Sequence, residues 1–515
     1  MRFISFSLVL LITSMLSGQK SPNIVYILAD DMGVGDVKAY NSDCKFPTPH
    51  LDQMALDGIK FTDAHTNSSV CTPTRYGVLT GRYAWRTSLK RGVTHAYTPH
   101  LIETGRMSVA SYLKSKGYAT AAVGKWHLGM DWSSNDGKKI EKGGKNLDLN
   151  APIKNGPNAF GFDYYFGISA SLNMDPHAYI ENDKIQGEFI YLPTDKDVKK
   201  HFGTGGKKGW VDKNFKRDEV MQTFTNKAVA WMRNHKKNNK NQPFFLYFPL
   251  NAPHSPIVPS ENFKGKSKLS PHGDFCMDVD DTVGQILAAV AALGESDNTL
   301  VIFTADNGVS PQAKLAPMEA KGHFSSYVYR GTKGTLYEGG HRVPFIVKWP
   351  KVISKSSKSD YLSCTTDLLA TVADIHGEKL PDHAGEDSVS FLPILKGKNL
   401  SDDKRGAVVH HSDAGFYALR MGSWKIIFHE NAGSRRTDPK DKPVINPGEI
   451  QLFDMSNDFK ELVNVAKDHP EVVNEMTNTM SALIENGRST LGKPQDYISY
   501  EKKYIETIKP FMDVE

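Results

Sequence analysis

Cysteine is scarce in this chain: four residues, Cys44, Cys71, Cys276 and Cys364, in 515. They lie far apart, with no Cys-x-x-Cys and no His/Cys spacing suited to zinc, which excludes a zinc ribbon or finger. A chain of this length builds its own core and needs no disulfide scaffold. Charge of one sign is equally scarce. Lysine plus arginine number 63 against 58 aspartate plus glutamate, a net charge of +5, too weak over this length to signal a nucleic-acid partner. No run of like charge forms a tail and no internal repeat is visible. Beyond the N-terminus no apolar run is long enough to span a bilayer, so no stable membrane insertion is expected. What is present is ordinary for a globular protein. Hydrophobic residues make up 39% and charged residues 23%, enough for a large core and inconsistent with general disorder. Length alone suggests three or four domains, a prior weakened by α/β folds that run past 250 residues as one unit.

The N-terminus departs from this pattern. Met1-Arg2 precedes an apolar run from Phe3 to Leu16, then Ser17-Gly18-Gln19. One positive charge, an apolar stretch and small residues make a secretory signal peptide, with cleavage expected near Gly18 and an exported, periplasmic or secreted product. No cysteine follows to take a lipid.

Three continuous apolar runs read as buried parallel strands: Asn23 to Ala29, Phe244 to Phe248 and Thr299 to Thr304. Helical patterns at Arg217 to Arg233 and Phe275 to Leu293 precede the last two, and Cys276 falls on the apolar face of the second. Alternating strands and helices predict an α/β fold, a large mostly parallel sheet flanked by helices. From about residue 400 the pattern changes. A hairpin (Phe416 to Arg420, Trp424 to Phe428), a short strand (Gln451 to Asp454) and a helix (Glu471 to Ile484) form a smaller C-terminal α+β subdomain. The expected division is 1–18 signal peptide, 19–400 main domain and 401–515 C-terminal subdomain. Segments 133–145 and 203–216, rich in Gly, Lys and Asn, read as surface loops.

Ligands of such sheets sit beyond the carboxyl ends of the strands, and the three strands end in Asp30-Asp31, Asn251-Ala-Pro-His254 and Asp306-Asn307. A fourth, Thr120 to Val123, runs into Gly124-Lys-Trp-His-Leu-Gly129. If that segment stays extended, Lys125 and His127 share a face. Lysine suits an anionic oxygen and histidine suits proton transfer near neutral pH. Asp-Asp or Asp-Asn-Gly alone is usually a turn or a cap; two such sites at the ends of buried strands suit a hard cation such as calcium. The most specific segment is Ser69-Val-Cys-Thr-Pro-Thr-Arg-Tyr-Gly-Val-Leu-Thr-Gly-Arg82. Pro73 suits the first turn of a helix and sets Cys71 at its N-terminus, where free N–H groups favour anions. Arg75 adds a cation one turn on.

This pattern, C-x-P-x-R-x-x-x-L-T-G-R, resembles the signature of the type I sulfatases of the alkaline phosphatase superfamily, and the resemblance runs from Asn23 into the C-terminal subdomain. It implies an alkaline phosphatase-like fold and a formylglycine (3-oxoalanine) made from Cys71 by a separate maturation enzyme. It implies calcium bound by Asp30, Asp31, Asp306 and Asn307. Arg75, Lys125 and Lys333 would neutralise the sulfate. Asp306 would take a proton from the aldehyde hydrate at position 71, whose oxygen attacks sulfur in line. His254 would protonate the departing alcohol, paired with Lys333 near the leaving oxygen. His127 would then assist sulfate release, dividing one hydrolysis into two easier steps. Ser171 matches a serine near the sulfate, with Ser169 a competitor.

The sulfate machinery leaves the alcohol open. Export and polar loops favour a sulfated glycan over a lipophilic ester, and Cys71 to Val93, with Tyr83-Ala-Trp-Arg-Thr-Ser-Leu-Lys-Arg-Gly92, also resembles sulfatases acting on galactose or N-acetylgalactosamine sulfates. Candidate sugar contacts are His177, in Asn173-Met-Asp-Pro-His177-Ala-Tyr, and Arg342, in His341-Arg342, with His410-His411 and Arg435-Arg436 as further loop candidates. Three alternatives remain: a phosphonate or phosphodiester hydrolase of the same superfamily, a non-catalytic sulfated-glycan-binding protein, and a calcium-binding structural protein. The last leaves the cysteine motif unexplained.

Overall fold

The computed structural model describes residues 21–398, 405–435 and 444–496. The apolar run at the N-terminus and Arg436 lie outside them. At its centre is a ten-stranded sheet. Five strands run parallel, in the order Thr299–Ala305, Asn23–Ala29, Phe244–Pro249, Ala119–Lys125 and Tyr164–Ile168. Phe345–Lys348 adds antiparallel beside Thr299–Ala305, and Ile59–Phe61 beside that. Strand Asn23–Ala29 shows why a continuous apolar run is needed. Ile24, Tyr26 and Leu28 enter the core on one face, while Val25, Ile27 and Ala29 enter the core on the other, so side chains pointing both ways leave water.

Each face is covered by helices. Val220–Asn238 and Pro271–Ala292 bring Phe224, Met232, Phe275 and Val283 to one. Cys71–Thr80, Val109–Ser115 and Leu368–Ile375 bring Tyr76, Leu79, Leu113 and Leu369 to the other. The architecture is α/β, a large mostly parallel sheet between helical layers.

The smaller C-terminal unit is an antiparallel sheet of four strands, Ala407–His411, Tyr417–Met421, Trp424–Ile427 and Gln451–Asp454 in sequence order. Met476, Met480 and Ile484 of helix Pro470–Glu485 pack on it together with Tyr83 and Trp85, which follow the Cys71 helix. The Ser69 N–H and Ser68 hydroxyl both donate to the His411 carbonyl, so this sheet braces the turn entering that helix.

Segment 133–145 is irregular as expected. Segment 203–216 is not wholly a loop: Gly209–Asp212 pairs antiparallel with Phe189–Leu192. The alternation in Gly-Trp-Val-Asp is too short to stand out among the surrounding glycines and lysines. All four cysteines are buried and free. Among the described residues no helix is long and apolar enough to cross a membrane.

Candidate active site

Four strand ends and one helix start converge at one edge of the sheet. Cys71 opens its helix after Val70, which is extended and offers no side-chain cap, so the first N–H groups are left to whatever the site holds. The thiol lies 3.6 Å from an Asp30 carboxylate oxygen and 3.3 Å from the Lys333 ammonium. Burial pushes it up to about 12 despite Lys125 and Lys333. The unmodified cysteine is therefore a protonated, weakly nucleophilic thiol near neutral pH.

Arg75, one turn on, is fully buried. Its Nε and Nη2 donate to one Asp306 oxygen at 2.9 and 2.8 Å, and Nη1 donates to the Lys125 carbonyl at 2.9 Å. Lys125 ends its strand with Nζ 2.5 Å from Asp30. Lys333 reaches Asp31. Three cations thus face three buried carboxylates. The carboxylates differ: burial would raise Asp30, but Lys125, His254 and Arg75 hold it well below the usual range. Asp306 is raised by burial and by Asp30 to about 7.

Asp31 adopts a left-handed φ of 67°, strained for a residue other than glycine. That conformation turns its N–H toward an Asp306 oxygen at 3.2 Å and its carboxylate toward the Asn307 amide at 2.7 Å. Two oxygens in this knot, Asp31 Oδ2 and Asn307 Oδ1, are buried without any hydrogen-bond partner. Orphaned hard oxygens beside further carboxylates are the donor set of a calcium ion, and Asp30, Asp31, Asp306 and Asn307 fit one. Asp30, Asp31, Cys71 and His254 also lie close enough together to share an ion, but the thiol is a poor calcium ligand.

His127 departs from the extended reading. Its φ is 57° and that of Gly124 is 133°, so the chain turns after Lys125 and the two side chains do not simply alternate. The ring Nε2 donates to the Thr94 carbonyl at 2.9 Å. In the neutral ring this leaves Nδ1 as the lone pair, buried and unpartnered. Burial, then Lys125 and Arg75, holds the ring well below its ordinary range, so it is neutral near pH 7. His254 donates from Nδ1 to the Ser255 carbonyl at 2.5 Å and points Nε2 toward Asp31 at 3.7 Å. Burial brings it down to about 4, against Asp31 and Asp30.

Ser171 follows the strand paired with that of Lys125, and its hydroxyl is buried without a partner. Ser169 instead accepts the His127 N–H on its carbonyl. Of the remaining sugar candidates, His177 lines a small pocket with Ser171, and the hydrogen bonds of His177 and Arg342 go to residues outside the cluster. Arg342 is engaged by Asp63 at 2.9 Å, Glu338 at 2.7 Å and the Thr62 carbonyl at 2.6 Å, so most of its donors are taken up within the protein. His177 is 1% exposed, donates from Nε2 to the Lys207 carbonyl at 2.8 Å and turns Nδ1 to Arg217 at 3.5 Å. The short loop around each gave no sign of this burial. His410 and His411 are likewise buried. Sequence reasoning passed over Asn251, which is 2% exposed with both amide atoms unpartnered; its place between a buried strand and His254 was the available signal.

The match to a family model for the sulfatases spans residues 22–378, and one for the N-sulphoglucosamine sulphohydrolase C-terminal region spans 331–486. An N-acetylgalactosamine-6-O-sulfatase of Bacteroides thetaiotaomicron is 34% identical over 516 residues, covering 91% of this chain and 94% of its own. Human arylsulfatase A is 29% identical, with 95% and 94% covered. A structure solved in work on glycosaminoglycan metabolism by B. thetaiotaomicron superposes with a TM-score of 0.77 at 33% identity, over 90% of this chain and 99% of that one. A Pseudoalteromonas sulfatase at 23% identity and a TM-score of 0.67, over 93% and 92%, shares the fold. With Cys71, Arg75 and the buried carboxylates gathered at one sheet edge, and with relatives matched over nearly their whole length, the chain belongs to the sulfatase family and is a sulfuric ester hydrolase.

Proposed function

We propose that the enzyme releases inorganic sulfate from a sulfated carbohydrate, using formylglycine formed from Cys71 by a maturation enzyme and calcium held by Asp30, Asp31, Asp306 and Asn307. The observation that carries this reading is the thiol itself, buried among three cations and pushed up to about 12. A cysteine so placed is inert as a thiolate nucleophile, whereas position 71 at a helix N-terminus is well set for an oxygen nucleophile facing an anion. Bound calcium would supply fixed positive charge against the sulfate. Arg75, Lys125 and Lys333 add preorganised charge around the same group, and Ser171 a hydroxyl. Asp306, beside position 71 and fixed by Arg75, accepts a proton from position 71. His127 offers an unpartnered Nδ1 lone pair to the later proton transfer. His254 is neutral in the free enzyme, and a bound sulfate ester favours its charged form, so it gains its proton when there is a leaving oxygen to receive it.

The sequence relation to N-acetylgalactosamine-6-sulfatases of B. thetaiotaomicron and rat favours a 6-sulfated galactose or N-acetylgalactosamine, with export to the periplasm or beyond bringing the enzyme to such glycans. The test is sulfate release from defined sulfated mono- and oligosaccharides by protein co-produced with a maturation enzyme. Turnover is expected on a 6-sulfated hexose and none with Cys71→Ala or His254→Ala, while Cys71→Ala still binds sulfated glycan. Turnover retained by Cys71→Ala would remove the formylglycine mechanism.

A further inference from the structure

Arg217 is 4% exposed, yet it has no acidic partner among the described residues. The six other buried arginines there each meet a carboxylate: Arg75, Arg82, Arg86, Arg405, Arg420 and Arg488. Its guanidinium is nonetheless held in a built cradle. Nη1 donates to the Thr204 hydroxyl at 2.8 Å and the Gly205 carbonyl at 2.9 Å. The plane lies 3.9 Å over the Phe202 ring, and a side chain on Gly206 would come within 2.4 Å of Nη2. Nε is buried with no partner. Burial without an opposing charge brings the group down to about 10. A buried cation left unpaired is costly to the fold and is kept where a ligand completes it.

The group lines a cavity of about 820 Å³, the size of sites for small organic ligands. Lys213, Lys216, Lys264 and Lys268 share its walls with two carboxylates, Asp218 and Asp274. Asp274 is already engaged by the Gly265 and Ser267 N–H groups at 2.8 Å each. Lys213, Lys216 and Lys264 are paired with Glu188, Glu219 and Glu261, which leaves Arg217 and Lys268 as the wall's cations without an acidic partner among the described residues. The cavity also adjoins the reaction centre. Ile257 and Val258 of its wall lie just past His254, and Phe215 is shared with the small pocket lined by Ser171 and His177. Ile257 and Leu269 pack on Val309, two residues past Asn307.

The geometry points to a second anion subsite, in which Arg217 takes a carboxylate or sulfate on the sugar next to the one desulfated. The substrate is then an acidic oligosaccharide rather than a lone sulfated sugar, an inference that rests on the carbohydrate-sulfatase reading. His177 serves it as a positioning residue, its Nδ1 lone pair steadying Nη2.

The test compares three disaccharides with the same sulfated sugar and a neighbour that is a uronate, carries a second sulfate, or is neutral. Arg217→Gln is expected to lower kcat/KM on one acidic disaccharide about 10- to 100-fold relative to the neutral one, chiefly through KM; which acidic disaccharide responds identifies the anion. Arg217→Lys should recover part of the loss. If Arg217→Gln does not fold, Lys268→Ala, on an exposed residue, should raise KM on the same disaccharide severalfold. Equal losses on all three disaccharides would overturn the subsite. Should the wild type release no sulfate from any sugar, calorimetric binding of the acidic disaccharides still decides. Tighter binding than the neutral one, lost in Arg217→Gln, supports the subsite; no preference sinks it.

Discussion

A guanidinium that donates to an acid and to a strand-end carbonyl at once is poorly replaced by any other cation. Arg75 does this with Asp306 and the Lys125 carbonyl. Lysine would keep the charge but lose the planar fork, freeing Asp306 and leaving the carbonyl unpartnered. Arg75→Lys is therefore expected to lower kcat about 100-fold or more, at unchanged net charge. A steady-state comparison in which the two enzymes differ by less than about threefold would show that charge alone suffices. The orphaned oxygens of Asp31 and Asn307 make a second prediction at this scale. Chelation with EGTA should lower both activity and the thermal midpoint, and added calcium should restore both, because an ion that binds only the folded state stabilises it by mass action. Asn307→Ala, lacking one of the four oxygens, should need more calcium for the same recovery. Full activity in metal-depleted protein would remove the calcium assignment.

At the scale of the element, the strand carrying Lys125 ends on a backbone that only glycine tolerates. Gly124 has a φ of 133°, and a Cβ there would sit 1.9 Å from the Pro249 carbonyl oxygen on the neighbouring strand. Gly124→Ala must push the two strand ends apart, and these ends carry Lys125 on one side and lead to Asn251 and His254 on the other. The expected result is a fall in kcat/KM of about 100-fold or more, because an error near 1 Å at reacting groups is that costly, with the fold retained by circular dichroism. Near-normal kinetics would mean the strand ends relax independently. The same element shows how far the sequence could be read. The runs at Asn23 to Ala29 and Thr299 to Thr304 announce themselves because a strand buried on both faces must be apolar throughout. The acids after them announce themselves because nothing in such a strand calls for them. The turn that follows Lys125 was hidden: the φ of His127 is 57°, a choice made by the Thr94 carbonyl and the neighbouring strand, neither of which is local in sequence. Arg217 was hidden for a similar reason. Among Lys216, Asp218 and Glu219 it reads as a solvated helix start, and only tertiary structure strips it of water and of an acid.

The whole molecule adds a dependence on pH that no single element has. Where the C-terminal sheet meets the catalytic body, His65, His341 and His410 are all buried, the last two stacked at 3.7 Å. Asp63 faces His65 at 2.7 Å, Lys425 reaches His341 at 3.0 Å, Glu338 at 2.9 Å and Glu461 at 2.6 Å, and Arg342 and Arg420 face Asp63. Burial, then His410 and Lys425, holds His341 well below the ordinary histidine range; burial, then His65 and Lys425, does the same for His410, and burial brings His411 down to about 4. These rings stay neutral when folded but take up a proton when unfolded. Their contribution to stability is therefore intact above about pH 6.5 and lost as the pH falls below it. Each can add at most about 1.4 kcal/mol per pH unit, or about 4 for three. Glu461 acts in the opposite sense. Burial raises it to about 7, so its contribution is present below about 4.5 and lost as the pH rises toward 7, offsetting about 1.4 kcal/mol per unit of the slope. The balance favours the histidines, and urea unfolding should show stability falling between pH 6.5 and 5. Replacing His410 with phenylalanine keeps the stack on His341 and removes one titrating ring. The variant loses the hydrogen bond to the Thr66 carbonyl and should be less stable than the wild type at pH 7.5. Its stability should nevertheless fall less steeply with acid, by about 1.4 kcal/mol per pH unit. Parallel slopes for the two proteins would show that acid acts elsewhere and that the histidines joining the two sheets are not what ties this fold to neutral pH.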